Sequence, residues 1–140
     1  IAPTESTDPL LLDVPPGDVR VWAEIPTILA ASGIGRDRTD AWFRSLGVAP
    51  KIYAQVAGNE AIVSMVSLGL GVGVVPQIVL DNRPPAVRVR VPEVEPVLEP
   101  YDLGLFTLKR HLNNPLVAAF WSLASPAPPD DQDLRPHRMA

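Results

Sequence analysis

Two arginines that follow a glycine turn are the residues of this sequence best suited to binding a small anion. Arg36 and Arg38 come shortly after Ser32 and Gly33, where an apolar strand predicted over residues 26–31 passes into a helix. The unpaired N–H groups and the dipole at a helix start attract an anion, and a guanidinium group can hold a carboxylate with two hydrogen bonds. These residues predict a carboxylate site. The alternative is an ordinary turn with solvated arginines, and short turns of this composition are common.

A second loop that could contact the same ligand covers residues 57–60. Gly58 ends a predicted strand, and Asn59 is well suited to cap the next helix, because its side-chain oxygen can accept a bond from an N–H of the first turn. Glu60 places a carboxylate in that turn, where the helix dipole stabilises it. Capping alone is a sufficient reason for both residues. If the loop instead faces the first one across the sheet edge, the predicted ligand-binding residues are Ser32, Gly33, Arg36, Arg38, Gly58, Asn59 and Glu60.

The sequence contains no arrangement of residues that predicts catalysis or a metal site. No serine lies in a G-x-S-x-G motif, and a Ser-His-Asp triad or a histidine metal site would depend on His111, because His137 lies in the charged tail. The absence of cysteine excludes thiolate ligands. The glycine run over residues 69–73 follows a predicted helix, whereas a dinucleotide-binding loop opens one. We therefore expect no enzyme activity, no metal and no cofactor.

A strand–helix–strand unit positions the candidate loops. Residues 52–56 are rich in strand formers, residues 59–70 carry apolar side chains at helical spacing, and residues 72–75 form a second short apolar strand. Strands and helices joined in this order by short loops predict a parallel sheet with helices packed against it. Such sheets bind small ligands at the loops where strands pass into helices.

Further elements extend this pattern in both directions. A helix over about residues 36–46 ends at Gly47, and its apolar face is predicted to consist of Thr39, Trp42, Phe43 and Leu46. The remaining predicted elements are a short helix over residues 77–82, an alternating strand over 87–91, a strand over 103–108, and a helix that Asn114 caps and Pro115 begins.

Two proline-rich connecting segments divide the chain. We expect residues 1–20 to contain the end of a crossover strand and a connector, residues 21–91 to form an α/β lobe, and residues 92–100 to form a return connector. Residues 101–125 are expected to be a strand and helix of a second, truncated lobe, and residues 126–140 a disordered tail. A chain that enters an α/β lobe and then returns is typical of two-lobed, hinged binding domains.

Composition excludes several classes of protein. The 140 residues are 46% hydrophobic, which is enough for one core, and their net charge of −4 argues against binding to a phosphate backbone. No apolar run reaches the ~20 residues of a membrane span, and residues 1–9 lack the features of a signal peptide. The lack of cysteine fits a reducing compartment. Because the chain has no initiator methionine and begins with an apolar residue, we expect it to be a fragment.

Several motifs within residues 21–123 occur together in one known family of proteins. They are Arg36-x-Arg38 before Trp42-Phe43-Arg44, Ile52-Tyr53-Ala54, Gly58-x-Glu60-Ala61-x-Val63-Ser64-Met65-Val66, the run to Val75-Pro76, and Pro115-Leu116-x-x-Ala119-Phe120-Trp121. Together they make the chain similar to the effector-binding domain of LysR-type transcriptional regulators. The turn-and-valine segment is common across that family, whereas the IYA and SMV strings point to its branch that activates branched-chain amino acid biosynthesis.

The resemblance implies a type 2 periplasmic-binding-protein-like α/β fold, of which this chain holds one complete lobe and the return strand and helix of the other. It also implies a cytoplasmic homo-oligomer, usually a tetramer, without membrane association. Operator DNA would be bound through an N-terminal helix-turn-helix that this chain lacks. The implied inducer, 2-acetolactate or 2-aceto-2-hydroxybutyrate, would lie between the lobes. The alternatives are a solute-binding protein of a transporter with the same fold and, third, an enzyme built on it.

Overall fold

The computed structural model describes residues 1–13, 18–101 and 104–124. Ile1–Pro100 form one unit, and the described residues from Tyr101 onward belong to a second. Both candidate loops lie in the first unit. The tail predicted to be disordered, residues 126–140, lies outside the described residues.

A parallel sheet of three strands forms the centre of the first unit. β2 (Pro26–Ala30) lies in the middle and pairs in parallel with β3 (Lys51–Val56) on one side and β4 (Val72–Gly73) on the other. This arrangement confirms the predicted strand–helix–strand pattern, with β2 between the two strands that the helix connects. β4 is shorter than the strand predicted over residues 72–75, because only its two residues pair with β2.

The helix α3 (Ile34–Leu46) begins at the carboxyl end of β2. It starts slightly earlier than the predicted Arg36, and it buries Thr39, Trp42 and Phe43, as their spacing predicted. Gly47 ends the helix with φ 70, a left-handed conformation that glycine adopts without strain. The structure thus confirms the buried face of α3 that the hydrophobic spacing predicted.

The helix α4 (Asn59–Ser67) follows β3 and packs closely against the sheet. Its Ile62 and Val66 are fully buried in one cluster with Ile28 of β2. The close approach depends on Gly73 of β4, because a Cβ atom at this position would overlap Cγ2 of Ile62. The small residue in the short strand is therefore a packing requirement of the helix above it.

Three aromatic rings form the centre of a second buried cluster. Trp22 and Trp42 have ring centroids 5.0 Å apart, Trp42 and Phe43 have theirs 5.1 Å apart, and both pairs meet edge to face. Edge-to-face contact places the positive rim of one ring against the negative face of the next. Trp42, predicted to lie on the apolar face of α3, is buried in this cluster, and Trp22 packs against it.

Two short helices occupy part of the segment predicted to be the first connector. α1 (Pro9–Leu12) and α2 (Val19–Trp22) are both preceded by an aspartate. The Oδ1 atoms of Asp8 and Asp18 each accept a hydrogen bond from the backbone N–H two residues later, at 3.0 and 3.1 Å. Leu11 is buried in the aromatic cluster. The segment therefore packs as part of the first unit.

β1 (Ala2–Pro3) and β5 (Val89–Arg90) form a separate antiparallel pair. The strand predicted over residues 87–91 is shortened to β5, because only these two residues have partners in β1. The short helix predicted over residues 77–82 is confirmed as α5 (Gln77–Asp81).

The second unit contains a 3₁₀ helix (Lys109–Asn113) and α6 (Pro115–Ala124). Oδ1 of Asn114 accepts a hydrogen bond from Leu116 N at 2.9 Å, which confirms the predicted cap and the proline at the first helical position. The strand predicted over residues 103–108 is wrong for its described part, which adopts no regular structure. A strand needs a neighbour to take up its backbone hydrogen bonds, and no described residue provides one there.

In the isolated 140-residue chain, the free energy of unfolding is expected to depend on the protonation of the Ile1 α-amino group. Its buried α-amino group donates to the Gly73 carbonyl oxygen at 2.6 Å. Burial, with a smaller effect of the Arg90 charge, lowers the pKa of this group from 8.0 to about 6, so the unfolded chain binds the proton more tightly. The free energy of unfolding should be highest above about pH 8 and decrease by roughly 2–3 kcal/mol as the pH falls to about 6.

Urea denaturation across this pH range measures the effect, and a chain acetylated at Ile1 is the matched control. Acetylation keeps an N–H donor for the Gly73 carbonyl but removes the titrating proton. The acetylated chain should therefore lose this part of the pH dependence. Identical pH profiles for the two chains would contradict the assignment to Ile1.

Candidate functional site

The loops that follow β2 and β3 lie side by side at one edge of the sheet. A backbone hydrogen bond of 2.8 Å joins them, from Ala31 N to the carbonyl oxygen of Val56. Since β2 and β3 run in parallel, α3 and α4 both begin at this edge. The structure therefore brings together the turn at Ser32 and Gly33 and the loop at Gly58.

Both helix starts are formed by a glycine. Gly33 precedes α3 with φ 94 and Gly58 precedes α4 with φ 90, conformations that side chains disfavour. The prediction that Asn59 caps α4 is wrong: the positive φ of Gly58 turns the chain one residue earlier, so Asn59 is the first helical residue. Because glycine has no side chain, the first N–H groups of each helix have neither a side-chain cap nor an intrahelical partner.

Arg36 ties together the elements around this edge. Its Nε donates to both carboxylate oxygens of Asp40 at 2.9 and 2.8 Å. Its Nη1 donates to the Ala30 carbonyl oxygen at 3.1 Å and to Oε1 of Gln55 at 2.7 Å. The side chain thus links α3 to the ends of β2 and β3. Asp40 also compensates much of its charge, so Arg36 positions the two loops in addition to any contact with a ligand.

Arg38 lies in a different environment. Its Nη1 donates to the Glu99 carbonyl oxygen at 3.0 Å and lies 3.8 Å from a carboxylate oxygen of the same residue. Two residues along a helix correspond to a rotation of about 200°, so the two arginines point in different directions. The structure does not bring Arg38 together with Arg36 around one point.

Acidic side chains also occupy the first turns of both helices. Asp37 lies in the first turn of α3 and Glu60 in that of α4, and both residues are exposed. Oε2 of Glu60 is 3.6 Å from the place where a Cβ of Gly58 would lie, so this carboxylate sits beside the loop. Ser32 is exposed. The edge therefore presents helix N–H donors together with two carboxylate acceptors.

Sequence reasoning missed two partners at this edge, Asp40 and Gln55. The spacing of four between Arg36 and Asp40 is a recognised signal for a helical ion pair and could have identified the first. Gln55 lies on a neighbouring strand, and its contact with Arg36 depends on the pairing register of β2 and β3. No local pattern indicates that contact.

The described ranges contain no group of three or more His, Cys, Asp and Glu side chains that could hold a metal ion. His111 lies in the 3₁₀ helix of the second unit. No helix within the described part of the chain is both long and apolar enough to cross a membrane.

The family model of the LysR substrate binding domain matches residues 9–127. The chain belongs to the LysR substrate-binding domain family. Membership in this family implies a type 2 periplasmic-binding-like α/β fold, and the parallel sheet with flanking helices is consistent with it. The resemblance derived from the motifs is thereby confirmed.

Three curated relatives show where this LysR-family chain belongs within the family. It is 45% identical over 105 residues to the HTH-type transcriptional activator IlvY of Salmonella typhimurium strain LT2, covering 73% of this chain and 36% of the relative. Identity is also 45% over 105 residues to the regulator IlvY of Escherichia coli strain K12, with coverage of 73% and 35%. The activator IlvY of Haemophilus influenzae is 41% identical over 103 residues, again with coverage of 73% and 35%.

The LysR-family chain thus spans about a third of the length of the curated relatives it matches. These relatives carry the names of transcriptional regulators, which fits the expectation of a protein that is not an enzyme. No solved structure matches the chain significantly.

Proposed function

We propose that this chain is the effector-sensing part of a cytoplasmic LysR-type activator of branched-chain amino acid biosynthesis. The observation that carries the proposal is the pair of glycine-started helices, α3 and α4, which begin side by side in a chain similar to IlvY. The ligand is an acetohydroxy acid, 2-acetolactate or 2-aceto-2-hydroxybutyrate. Operator DNA is bound by a helix-turn-helix in the longer protein, which assembles as a homo-oligomer, a tetramer by resemblance.

The proposed ligand has a carboxylate, a hydroxyl and a ketone, and the two loops offer a partner for each. The free N–H groups at the start of α3, with Ser32 beside them, receive the carboxylate. The carboxylate of Glu60 accepts a hydrogen bond from the hydroxyl group, and the side-chain amide N–H of Asn59 donates one to the ketone oxygen. Gly33 and Gly58 allow the ligand to approach the backbone, because they carry no side chain.

The arginines contribute positive charge in this proposal. Arg36 is the nearer to the start of α3, and its hydrogen bonds to Ala30 and Gln55 keep the guanidinium at the edge where the carboxylate binds. Arg38, at the Glu99 segment, contributes to the field from a greater distance. The solute-binding alternative has lost support, because the relatives that the chain resembles carry the names of HTH-type transcriptional regulators.

Replacing Arg36 by alanine in the complete regulator is expected to weaken inducer binding about ten- to hundredfold, which corresponds to roughly 1.5–3 kcal/mol. Operator affinity without inducer should hardly change, because DNA is bound by a separate module. Calorimetry with 2-acetolactate and a gel-shift with operator DNA measure the two quantities.

Asp40→Asn is the matched control for this substitution. It removes the compensating charge while keeping the volume of the side chain, and it leaves the contacts of Arg36 with β2 and β3 in place. Inducer binding by Asp40→Asn should be as tight as in the unchanged protein, or tighter. If Arg36→Ala has no effect on the inducer response, Arg36 does not act on the ligand.

The function itself is tested with a reporter gene behind the promoter of an acetohydroxy acid isomeroreductase. The complete regulator should raise expression when 2-acetolactate is added, and it should not respond to the amino acid valine. The isolated 140-residue chain should fail to bind operator DNA. An unchanged reporter signal, or sub-micromolar operator binding by the isolated chain at physiological salt, would contradict the proposal.

We also propose that residues 21–91 form one lobe of the effector domain and that residues 101–125 belong to the other. Three large apolar side chains of α6 are exposed: Leu116 is 81%, Phe120 62% and Leu123 86% accessible. Exposed side chains of this size in one helix mark a surface made to be covered. Residues of the longer protein, outside this chain, cover it in our proposal.

Amide hydrogen exchange of the isolated chain tests this division. Amides of residues 109–124 should exchange much faster than those of β2 and β3, because a helix whose apolar face is uncovered opens at low cost. Equal, strong protection of both regions would show that the division into lobes is wrong.

A further inference from the structure

We propose that the first unit holds a second ligand site, an apolar cavity beside Trp22 that binds a compact, neutral molecule with one carbonyl group. The cavity has a volume of about 110 Å³, and apolar side chains make up most of its lining, among them Trp22, Trp42, Phe43, Val72, Val94 and Leu98. None of the seven residues proposed for the effector site lines it. The inference therefore goes beyond the proposed function and does not depend on it.

The indole N–H of Trp22 is the observation that points to a ligand. Trp22 is only 5% exposed, and its Nε1 has no hydrogen-bond partner among the described residues. Native proteins rarely leave a buried donor unpaired, since this costs free energy that a partner would recover. The neighbouring indole shows the usual situation, because Nε1 of Trp42 donates to the Pro96 carbonyl oxygen at 2.6 Å.

Two further polar groups around the cavity, at Thr27 and Ile1, already have partners within the chain. Thr27 is buried and lines the cavity, and its hydroxyl group donates a hydrogen bond to the Ile25 carbonyl oxygen at 3.1 Å. The backbone nitrogen of Ile1 donates to the Gly73 carbonyl oxygen at 2.6 Å. A ligand that completes the site therefore needs one acceptor for the Trp22 N–H and an otherwise apolar surface.

Size and polarity define the class of ligand. A dry engineered cavity of about 150 Å³ holds benzene, which has six non-hydrogen atoms, so the volume of about 110 Å³ here accommodates about four or five, and the partly open mouth leaves room for one more. A carboxylate would lose its hydration without gaining a cationic side chain, which is unfavourable. A water molecule needs two to four polar partners and finds few in this lining. A small cyclic or branched ketone fits the volume, carries no charge, and needs only one hydrogen-bond partner.

Cyclopentanone and methylenecyclopentane are matched probes, because they have nearly the same shape and only the ketone accepts a hydrogen bond. The measurement is NMR of the ¹⁵N-labelled chain at a pH above the pKa of the Ile1 amino group. Added cyclopentanone should shift the signal of the Trp22 indole proton downfield, and the shift should saturate. Trp22→Phe identifies that signal by its loss, and Trp121→Phe, in the second unit, is the control that keeps it. Cyclopentanone should bind roughly five- to tenfold more weakly to Trp22→Phe, whereas binding of methylenecyclopentane should not change.

Val94→Phe provides a test that keeps the indole. The larger side chain should fill the cavity and abolish the cyclopentanone shift at Trp22 while the spectrum remains that of a folded chain. If Trp22→Phe does not fold, the probe pair and Val94→Phe still decide the question. Isobutyrate serves as a negatively charged probe of similar size. The proposal is overturned if cyclopentanone causes no saturable shift at Trp22, or if Val94→Phe leaves that shift unchanged. It is also overturned if the two matched probes bind equally well, or if isobutyrate binds more tightly than the ketone.

Discussion

Replacing Gly71 by alanine is expected to lower the free energy of unfolding of the chain by about 3 kcal/mol or more. Gly71 leads into β4 with φ 159, and a Cβ atom there would overlap the carbonyl oxygen of Pro26 in β2. The obstacle is a backbone atom of the central strand, so a rotamer change cannot remove the overlap. Relief requires β4 to separate from β2 and from the helix packed on it.

Gly35→Ala is the matched control for this substitution. Gly35 lies in the first turn of α3, and a Cβ atom there meets no other atom within 4 Å. Alanine favours the helical conformation by about 0.5–1 kcal/mol over glycine, so this variant should be as stable as the unchanged chain or more so. Chemical denaturation measures both variants. A Gly71→Ala chain as stable as Gly35→Ala would show that β4 does not make the close contact with β2 that is described here.

Replacing Trp42 by alanine is expected to cost about 3–5 kcal/mol, the range for a large aromatic side chain removed from a core. Trp42 is 7% exposed and lies between Trp22 and Phe43, with ring centroids 5.0 and 5.1 Å away. Its indole N–H also donates a hydrogen bond to the carbonyl oxygen of Pro96. The substitution therefore removes ring contacts of the cluster and releases the segment after β5.

Trp42→Phe separates these two contributions. It keeps an aromatic ring in the cluster and loses the hydrogen bond to Pro96, so most of the stability should remain, with a loss of roughly 1–2 kcal/mol. Amide exchange of residues 92–100 should become faster in this variant, whereas exchange in β2 should change little. A loss as large as that of Trp42→Ala would mean that the hydrogen bond, and not the ring packing, dominates the contribution of this residue.

Periodicity predicted those parts of the fold in which each residue is positioned by its neighbours in sequence. The buried face of α3 followed from the spacing of Thr39, Trp42 and Phe43, and the start of α6 followed from Asn114. The parallel sheet followed from the order of strand and helix signals. The adjacency of the two loops is a consequence of that sheet, so it could be anticipated without coordinates.

The features that sequence reasoning missed depend on contacts between distant residues or on very short elements. α1 and α2 have four residues each, too few for a periodic pattern, and only their aspartate caps indicate them. Asparagine often caps helices, which favoured Asn59 as the cap, but the conformation of Gly58 determines where α4 begins. The bridge from Arg36 to Gln55 exists only once β2 and β3 have paired.

The pairing of β1 with β5 also determines the order in which the first unit can fold. Ala2 pairs with Arg90, so these strands join the two ends of nearly the whole unit. The entropy lost in closing a loop grows with its length, and contacts of high sequence separation form late. We therefore expect the central sheet to assemble first and the β1–β5 pair to close last. The same pair should open first under mild denaturant, while β2, β3 and the loops they carry remain folded.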